Sequence, residues 1–257
     1  MTMAAEQSGR RVALVTGASY GLGAEIAKTL ANDGFDVAVT ELSADDLADT
    51  VAAIEAADDA RAAAITLDLR SMESIEAAVA DTVSALGQID VLVNNAGRLL
   101  VKPALDIELE EWNQVLAVNV TGSYFMAQRV AQHMVDTERP GCIINIASTF
   151  TVMGASNVSA YGISKAAVGG ITRHLAVEWA QYGIRVNAVA PGSVKTKLRA
   201  EIMAANPARA EANLAKIPMQ RFGTPEDMAG AVSYLASPAA AYVNGHILAV
   251  DGGLTIS

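Results

Sequence analysis

Short apolar runs alternate along this chain with longer segments in which apolar residues recur every three or four positions. After a polar stretch, Val12-Ala13-Leu14-Val15 reads as a strand, a glycine-rich turn follows, and a helical pattern runs from Ala24 to about Ala31. Further strands are predicted over Phe35 to Thr40, Ala63 to Leu67, Val91 to Val93, Cys142 to Ala147, Arg185 to Ala188 and Ile247 to Val250. Helices are predicted over Leu47 to Ala57, Met72 to Leu86, Glu110 to His133, Tyr161 to Trp179 and Pro225 to Leu235. Strands that are apolar at every position must be covered on both faces, and helices between them supply the cover. The pattern therefore predicts an α/β fold, a single-domain Rossmann-type doubly wound parallel sheet of about seven strands with helices on both faces.

Residues 1–10 read as a polar leader, and 11–257 as one domain without linker, repeat or low-complexity tract. The irregular insertion is 193–216, which carries Lys195, Lys197, Arg199, Arg209 and Lys216. It is open to two readings, a surface helix or a lid over the ligand crevice at the strand ends.

Composition narrows the function. With 52% hydrophobic and 18% charged residues among 257, the chain has ample material for a buried core, which argues against disorder. A net charge of -10 argues against a nucleic-acid partner, since a phosphate backbone demands a concentrated basic surface. No window approaches the roughly 18 apolar residues of a membrane span. The lone cysteine, Cys142, allows no intrachain disulfide, sits in an apolar run and reads as a buried hydrophobe, so the expected compartment is the cytoplasm. His133, His174 and His246 are too scattered for a metal cluster, and no metal is expected.

The first strand leads into Thr16-Gly17-Ala18-Ser19-Tyr20-Gly21-Leu22-Gly23 and then a helix. Glycines permit a tight turn and close backbone approach, and a helix N-terminus offers free N–H groups to a pyrophosphate. Gly17, Ser19, Tyr20, Gly21, Leu22 and Gly23 are therefore candidate cofactor contacts. Glu41 ends the second strand, about 20 positions on, where a carboxylate accepts from both adenosine ribose hydroxyls and repels a 2′-phosphate, selecting NAD over NADP. A solvated loop charge is the alternative for Glu41. Leu42, next to it, and Leu69, next to Asp68, join the candidate contacts. Asp68 either accepts from the adenine amino group or caps the following helix.

Tyr161 and Lys165 lie four residues apart on a predicted helix, one turn apart on one face. A tyrosine, with a reference pKa near 10, is a poor base at neutral pH until a neighbouring ammonium stabilises its phenolate. The same chain carries Asn94-Asn95-Ala96-Gly97 after the fourth strand, Asn119 within a helix, Ser148 thirteen residues before Tyr161, Pro191-Gly192 after the sixth strand and Val250-Asp251-Gly252-Gly253 near the end. Taken alone, Asn119 also reads as a core amide and Ser148 as a strand-end cap.

In this order, from about Arg11 to Gly253, these motifs resemble the short-chain dehydrogenase/reductase family, in its branch of about 250 residues with the Thr-Gly-x-x-x-Gly-x-Gly turn. The resemblance implies a catalytic set of Asn119, Ser148, Tyr161 and Lys165. Tyr161 would take the alcohol proton, Ser148 would hydrogen-bond the substrate oxygen, Lys165 would also hold the nicotinamide ribose, and Asn119 would hold a water linking Lys165 to solvent. It further implies that Asn95, Ala96 and Gly97 line the adenosine side while Asn94 braces the sheet. Pro191, Gly192, Val194 and Thr196 would meet the nicotinamide end. Glu41 in place of the commoner aspartate, Tyr20 at a commonly basic position and Ala147 before Ser148 are departures that remove no catalytic group.

The implied function is NAD-dependent interconversion of a secondary alcohol and a ketone by hydride transfer. Specificity is expected in Arg98 to Lys102, Thr149 to Ser159 and the segment from Ser193. Arg98 and the lid cations suit a carboxylate or phosphate, whereas Phe150, Val152, Met153 and Val158 suit an apolar wall. Ala176-Val177-Glu178-Trp179-Ala180 resembles relatives acting on sugar acids and polyols, which favours such a substrate. A 3-oxoacyl thioester reductase is the rival reading, and a catalytically silent dinucleotide sensor a rival of another class. Relatives pair through the helices at about Glu110 to His133 and Tyr161 to Trp179, so a homotetramer is expected.

Overall fold

The computed structural model describes residues 9–57, 59–195 and 207–257. Seven parallel strands form one sheet: β1 (Arg11–Thr16), β2 (Phe35–Glu41), β3 (Ala62–Thr66), β4 (Val91–Asn94), β5 (Gly141–Ile146), β6 (Ile184–Pro191) and β7 (Ile247–Val250). Their order is β3-β2-β1-β4-β5-β6-β7, the doubly wound arrangement. Strand order reverses between β1 and β4, which pair with Val15 opposite Val93. The chain leaves both strands at their carboxyl ends in opposite directions, and a crevice opens there.

The α-helices among the described residues are α1 (Gly21–Asn32), α2 (Ala48–Glu55), α3 (Met72–Leu86), α4 (Leu109–Leu116), α5 (Ser123–Asp136), α6 (Ser159–Trp179), α7 (Pro207–Leu214) and α8 (Pro225–Ala236). Alternation along each strand divides the core in two. On one face Ala13, Val15, Val37, Val39, Val93 and Ile144 pack against Ile26 and Leu30 of α1 and Val232 and Leu235 of α8. On the other, Val12, Leu14, Leu92, Ile143 and Val186 meet Ile75 of α3, Met126 and Val130 of α5 and Leu175 of α6. These side chains are almost wholly removed from water, which is why the strands read as unbroken apolar runs.

The predicted helix from Glu110 to His133 is interrupted. Between α4 and α5, Ala117–Gly122 winds as one π-helical turn. Gly122 explains how this turn packs, because a Cβ there would collide with the backbone and side chain of Leu69. Such a bulge re-aims side chains locally, and here it carries Asn119. The N-cap of α3 is Ser71, whose side chain accepts from Ser74 N, so the capping alternative for Asp68 is corrected: the cap is three residues further along. Residues 1–8 of the expected leader and 196–206 of the expected lid, with Thr196 among them, lie outside the described residues.

Candidate active site

The turn after β1 is shaped by what lies behind it. Gly17 takes φ +66°, and a Cβ there would stand 2.8 Å from the Ala96 Cα. A Cβ on Gly23 would meet the Gly17 carbonyl and come within 2.5 Å of Asn95 Nδ2, so α1 can begin this close to β4 only with glycine at that position. The cap residue Tyr20 makes no side-chain hydrogen bond to the first turn of α1, leaving those N–H groups to the crevice. A glycine cradle in front of an uncapped helix N-terminus at the switch point fits a dinucleotide pyrophosphate.

The turn is pinned by residues far along the chain. Asn95 Nδ2 donates to the carbonyls of Thr16 (3.0 Å) and Gly17 (2.7 Å). The Thr16 hydroxyl oxygen accepts from the N–H groups of Asn95 (3.0 Å) and Ala96 (3.1 Å). Asn94 braces the sheet, donating to Asn145 Oδ1 at 3.0 Å and the Ser123 carbonyl at 3.2 Å. Thr16 is therefore a site residue that the glycine spacing did not single out, although it is the polar residue at the end of an apolar strand.

At the end of β2, Glu41 is held in place. One carboxylate oxygen accepts from the Ser19 hydroxyl at 2.8 Å and the other from the Leu42 N–H at 3.1 Å. Asp68 is engaged by Arg70, with contacts of 2.7 to 3.2 Å from the guanidinium and 2.9 Å from the backbone N–H. The Arg70 hydrogen bonds keep the Asp68 carboxyl below the ordinary range against the opposing effect of burial.

The catalytic candidates converge where β5, α6 and the π turn meet. Ser148 follows β5, is buried, and accepts from Phe150 N at 3.3 Å, so it caps the short turn Thr149–Thr151. Thr151 fastens that turn, its hydroxyl donating to the Ser148 carbonyl at 2.6 Å. Tyr161 lies edge-on to Phe150, ring centroids 6.1 Å apart, and the Lys165 ammonium is 5.7 Å from the Tyr161 ring centre. Lys165 is 4% exposed and donates to the Ile146 carbonyl at 2.6 Å, and burial pulls its pKa down to about 8.

Asn119 is bonded on both amide atoms. Its oxygen accepts from Arg98 N (2.7 Å), and its nitrogen donates to Arg98 O (3.0 Å) and Ser164 Oγ (2.9 Å). Ser164 in turn donates to the Tyr161 carbonyl at 2.7 Å, linking the π turn to α6. This serine was also missed, although it precedes Lys165 directly. Gly97 faces the same centre: a Cβ there would lie 3.4 Å from Asn119 Oδ1 and 3.6 Å from Lys165 Nζ.

Pro191 ends β6, and Gly192 is forced to be glycine, since a Cβ would stand 2.8 Å from the Asp251 Cα. Val194 forms a parallel bridge with Gly223 in which the bonded groups are Ser193 O and Lys195 N, so the N–H and C=O of Val194 itself point the other way. Beside Ser148 opens a cleft of about 320 Å³ lined by Thr151, Val152, Arg173, Ala190 and His246, among others. Cys142 is buried and its thiol is pushed up to about 11 by burial, which keeps it inert. Among the described residues no helix is long and apolar enough to cross a membrane.

The family model described as Enoyl-(Acyl carrier protein) reductase matches residues 17–255. The chain is 41% identical over 247 residues to 3beta-hydroxysteroid dehydrogenase 1 of Eggerthella lenta, covering 96% of this chain and 94% of that one. It is 39% identical to the 2-dehydro-3-deoxy-D-gluconate 5-dehydrogenase of Escherichia coli, covering 95% and 94%. Among solved structures, a candidate 2-deoxy-d-gluconate 3-dehydrogenase from Agrobacterium tumefaciens with bound NADP superposes with a TM-score of 0.87 at 38% identity, covering 96% of this chain and 97% of that one. The switch-point cradle, the serine, tyrosine and lysine around one centre, and likeness along nearly the whole chain lead to one conclusion: this protein belongs to the short-chain dehydrogenase/reductase family and is an oxidoreductase that interconverts a secondary alcohol and a ketone with a nicotinamide dinucleotide.

Proposed function

We propose that the enzyme uses NAD, and that its substrate is a secondary alcohol of the polyol or sugar-acid type. The observation that carries the cofactor reading is the Glu41 carboxylate, aimed by Ser19 and Leu42 where the adenosine ribose would lie. A fixed negative charge there accepts from two ribose hydroxyls and repels a phosphate on either. Glu41→Ser is therefore expected to lower the ratio of kcat/KM for NAD to that for NADP by about 10- to 100-fold, roughly what losing a charged pair of hydrogen bonds costs. Side-by-side initial rates with the two dinucleotides measure it, and an unchanged ratio would remove Glu41 from this role.

In this reading Gly17, Ser19, Tyr20, Gly21, Leu22 and Gly23 hold the pyrophosphate side, with Leu42, Asp68, Leu69, Asn95 and Ala96 along the adenosine, whereas Gly97, expected there too, packs beside Asn119 and Lys165. Pro191, Gly192, Val194 and Thr196 hold the nicotinamide end, where the outward backbone groups of Val194 suit a carboxamide. When bound, a nicotinamide would supply the hydride acceptor for the carbinol carbon. Tyr161 takes the hydroxyl proton, Ser148 donates to the substrate oxygen, and the Lys165 ammonium stabilises the Tyr161 phenolate while reaching the nicotinamide ribose. Asn119, held by Arg98 and Ser164, keeps the proton path behind Lys165 ordered.

The substrate class rests on the relatives, which include a 2-dehydro-3-deoxy-D-gluconate 5-dehydrogenase and a D-threitol dehydrogenase from Mycolicibacterium smegmatis. A second reading is reduction of a 3-oxoacyl thioester; the description of the family model shares with it the acyl-carrier substrate, though it names an enoyl double bond as the group reduced. A panel of polyols, sugar acids, hydroxysteroids and 3-oxoacyl thioesters, run with NAD(H) and NADP(H), separates them: turnover confined to thioesters with NADPH would overturn the first reading. The same reading makes the enzyme a cytoplasmic homotetramer; pairing through α4, α5 and α6 is supported by Leu109, Ile163 and Val177, which stand exposed there. Light scattering at micromolar concentration tests the assembly, and a monomer would refute it.

A further inference from the structure

The two loops that flank the catalytic groups leave neighbouring strands. Residues 97–103 follow β4 and place Gly97 against Asn119 and Lys165, while residues 148–158 follow β5 and place Phe150 against Tyr161. A main-chain hydrogen bond joins them at their far ends, where Lys102 N–H donates to the Asn157 carbonyl at 2.7 Å. Asn157 takes φ +64°, the left-handed region that asparagine and glycine tolerate and β-branched residues do not. This conformation sets the direction of its peptide groups.

The other side of Lys102 is anchored as well. Its ammonium lies 2.7 Å from Glu111 Oε2, and that same oxygen accepts from Glu108 N at 2.9 Å, closing the capping box of α4. The Lys102 hydrogen bond is the main cause holding the Glu111 carboxyl below its ordinary range. Further back the loop is fastened at Arg98, whose N–H and C=O both bond Asn119. Between these anchors stand Leu99 and Val101, each 59% exposed, and the loop after β5 carries Val152, 76% exposed. Apolar side chains left in water beside reacting groups have a substrate to cover when one is bound.

We propose that Asn157 is a positioning residue: its left-handed turn clasps the Lys102 loop and so joins the two rims of the substrate site into one rigid wall. The role rests on the alcohol–ketone reading above, because it acts on the substrate and leaves the dinucleotide cradle and the proton-transfer groups alone. Asn157→Gly keeps the left-handed turn and the clasp. Asn157→Val cannot hold φ +64° without strain, so the carbonyl turns away and the loop is freed.

The test reads two quantities on the full-length enzyme with its dinucleotide. Hydrogen exchange of the peptide covering residues 99–103 is expected to quicken about tenfold or more in Asn157→Val and to stay unchanged in Asn157→Gly. KM for the best alcohol of the panel is expected to rise about 5- to 10-fold in Asn157→Val, with kcat and dinucleotide affinity within about twofold of the parent and full recovery in Asn157→Gly. Equal exchange in the parent and Asn157→Val overturns the proposal. So does faster exchange with an unchanged KM, or a loss confined to kcat. Should the parent turn over no alcohol at all, the functional reading fails, while the exchange data still decide whether the clasp exists.

Discussion

Tyr161→Phe is expected to lower kcat/KM for alcohol oxidation by about 10²- to 10⁴-fold, the usual contribution of a positioned acid–base group. The substitution removes one oxygen and little else. The edge-on contact with Phe150 survives because the ring remains, and the hydrogen bond from Ser164 goes to the backbone carbonyl of residue 161. Helix α6 therefore keeps its packing, and dinucleotide affinity is expected to change less than about threefold, since the pyrophosphate cradle lies at the other end of the crevice. Stopped-flow or steady-state rates, with fluorescence titration of NADH for binding, separate the two effects. Retention of more than about a tenth of the parent kcat/KM would remove Tyr161 from proton transfer.

Lys165→Met is expected to abolish turnover to a similar extent while making the folded enzyme more stable. The reason is the cost of hiding an ammonium. Lys165 is 4% exposed, and burial lowers its pKa from 10.5 to about 8, a difference of about 3 kcal/mol between its charged and neutral forms. Between about pH 8 and 10.5 the unfolded chain holds a proton at this position that the folded chain has released. This group therefore makes stability rise with pH across that window, and imposes its full penalty below about pH 8. Methionine fills much the same space without charge, although the Ile146 carbonyl then loses a donor. A net gain of about 1–2 kcal/mol at pH 7, a few degrees in Tm for a domain of this size, is expected. The gain should shrink as pH passes 8 and nearly vanish above 10.5. Calorimetry across pH reads it, and a destabilised methionine variant at pH 7 would show that the ammonium is better compensated than its burial implies.

The site was only partly legible in one dimension. Gly17 and Gly23 could be assigned from spacing because a phosphate turn needs backbone without side chains, and that demand is written into neighbouring positions. Tyr161 and Lys165 likewise share a helix, so their proximity follows from helical geometry. Asn119 could be linked to them only through family likeness, since its place depends on a π turn and a close approach to Leu69 that no local periodicity announces. Thr16 stood in the recognised turn without a role because its partners, Asn95 and Ala96, lie about 80 positions away. The cap of α3 stayed open in the sequence because Asp68 and Ser71 are equally good caps by chemistry; in the fold Ser71 takes that role while Arg70 engages the Asp68 carboxylate.

By itself the amino-acid order determined the alternation of strands and helices, the parallel sheet and the glycine turn, since each depends on residues a few positions apart and on whether water reaches one face or none. Tertiary structure alone decided how Asn95 and Thr16 lock the cofactor turn, how deeply Lys165 is withdrawn from solvent, and how Asn157 reaches across to Lys102. Those relations join segments from different strands. Their distances and desolvation arise only once the packed sheet has brought the strand ends side by side.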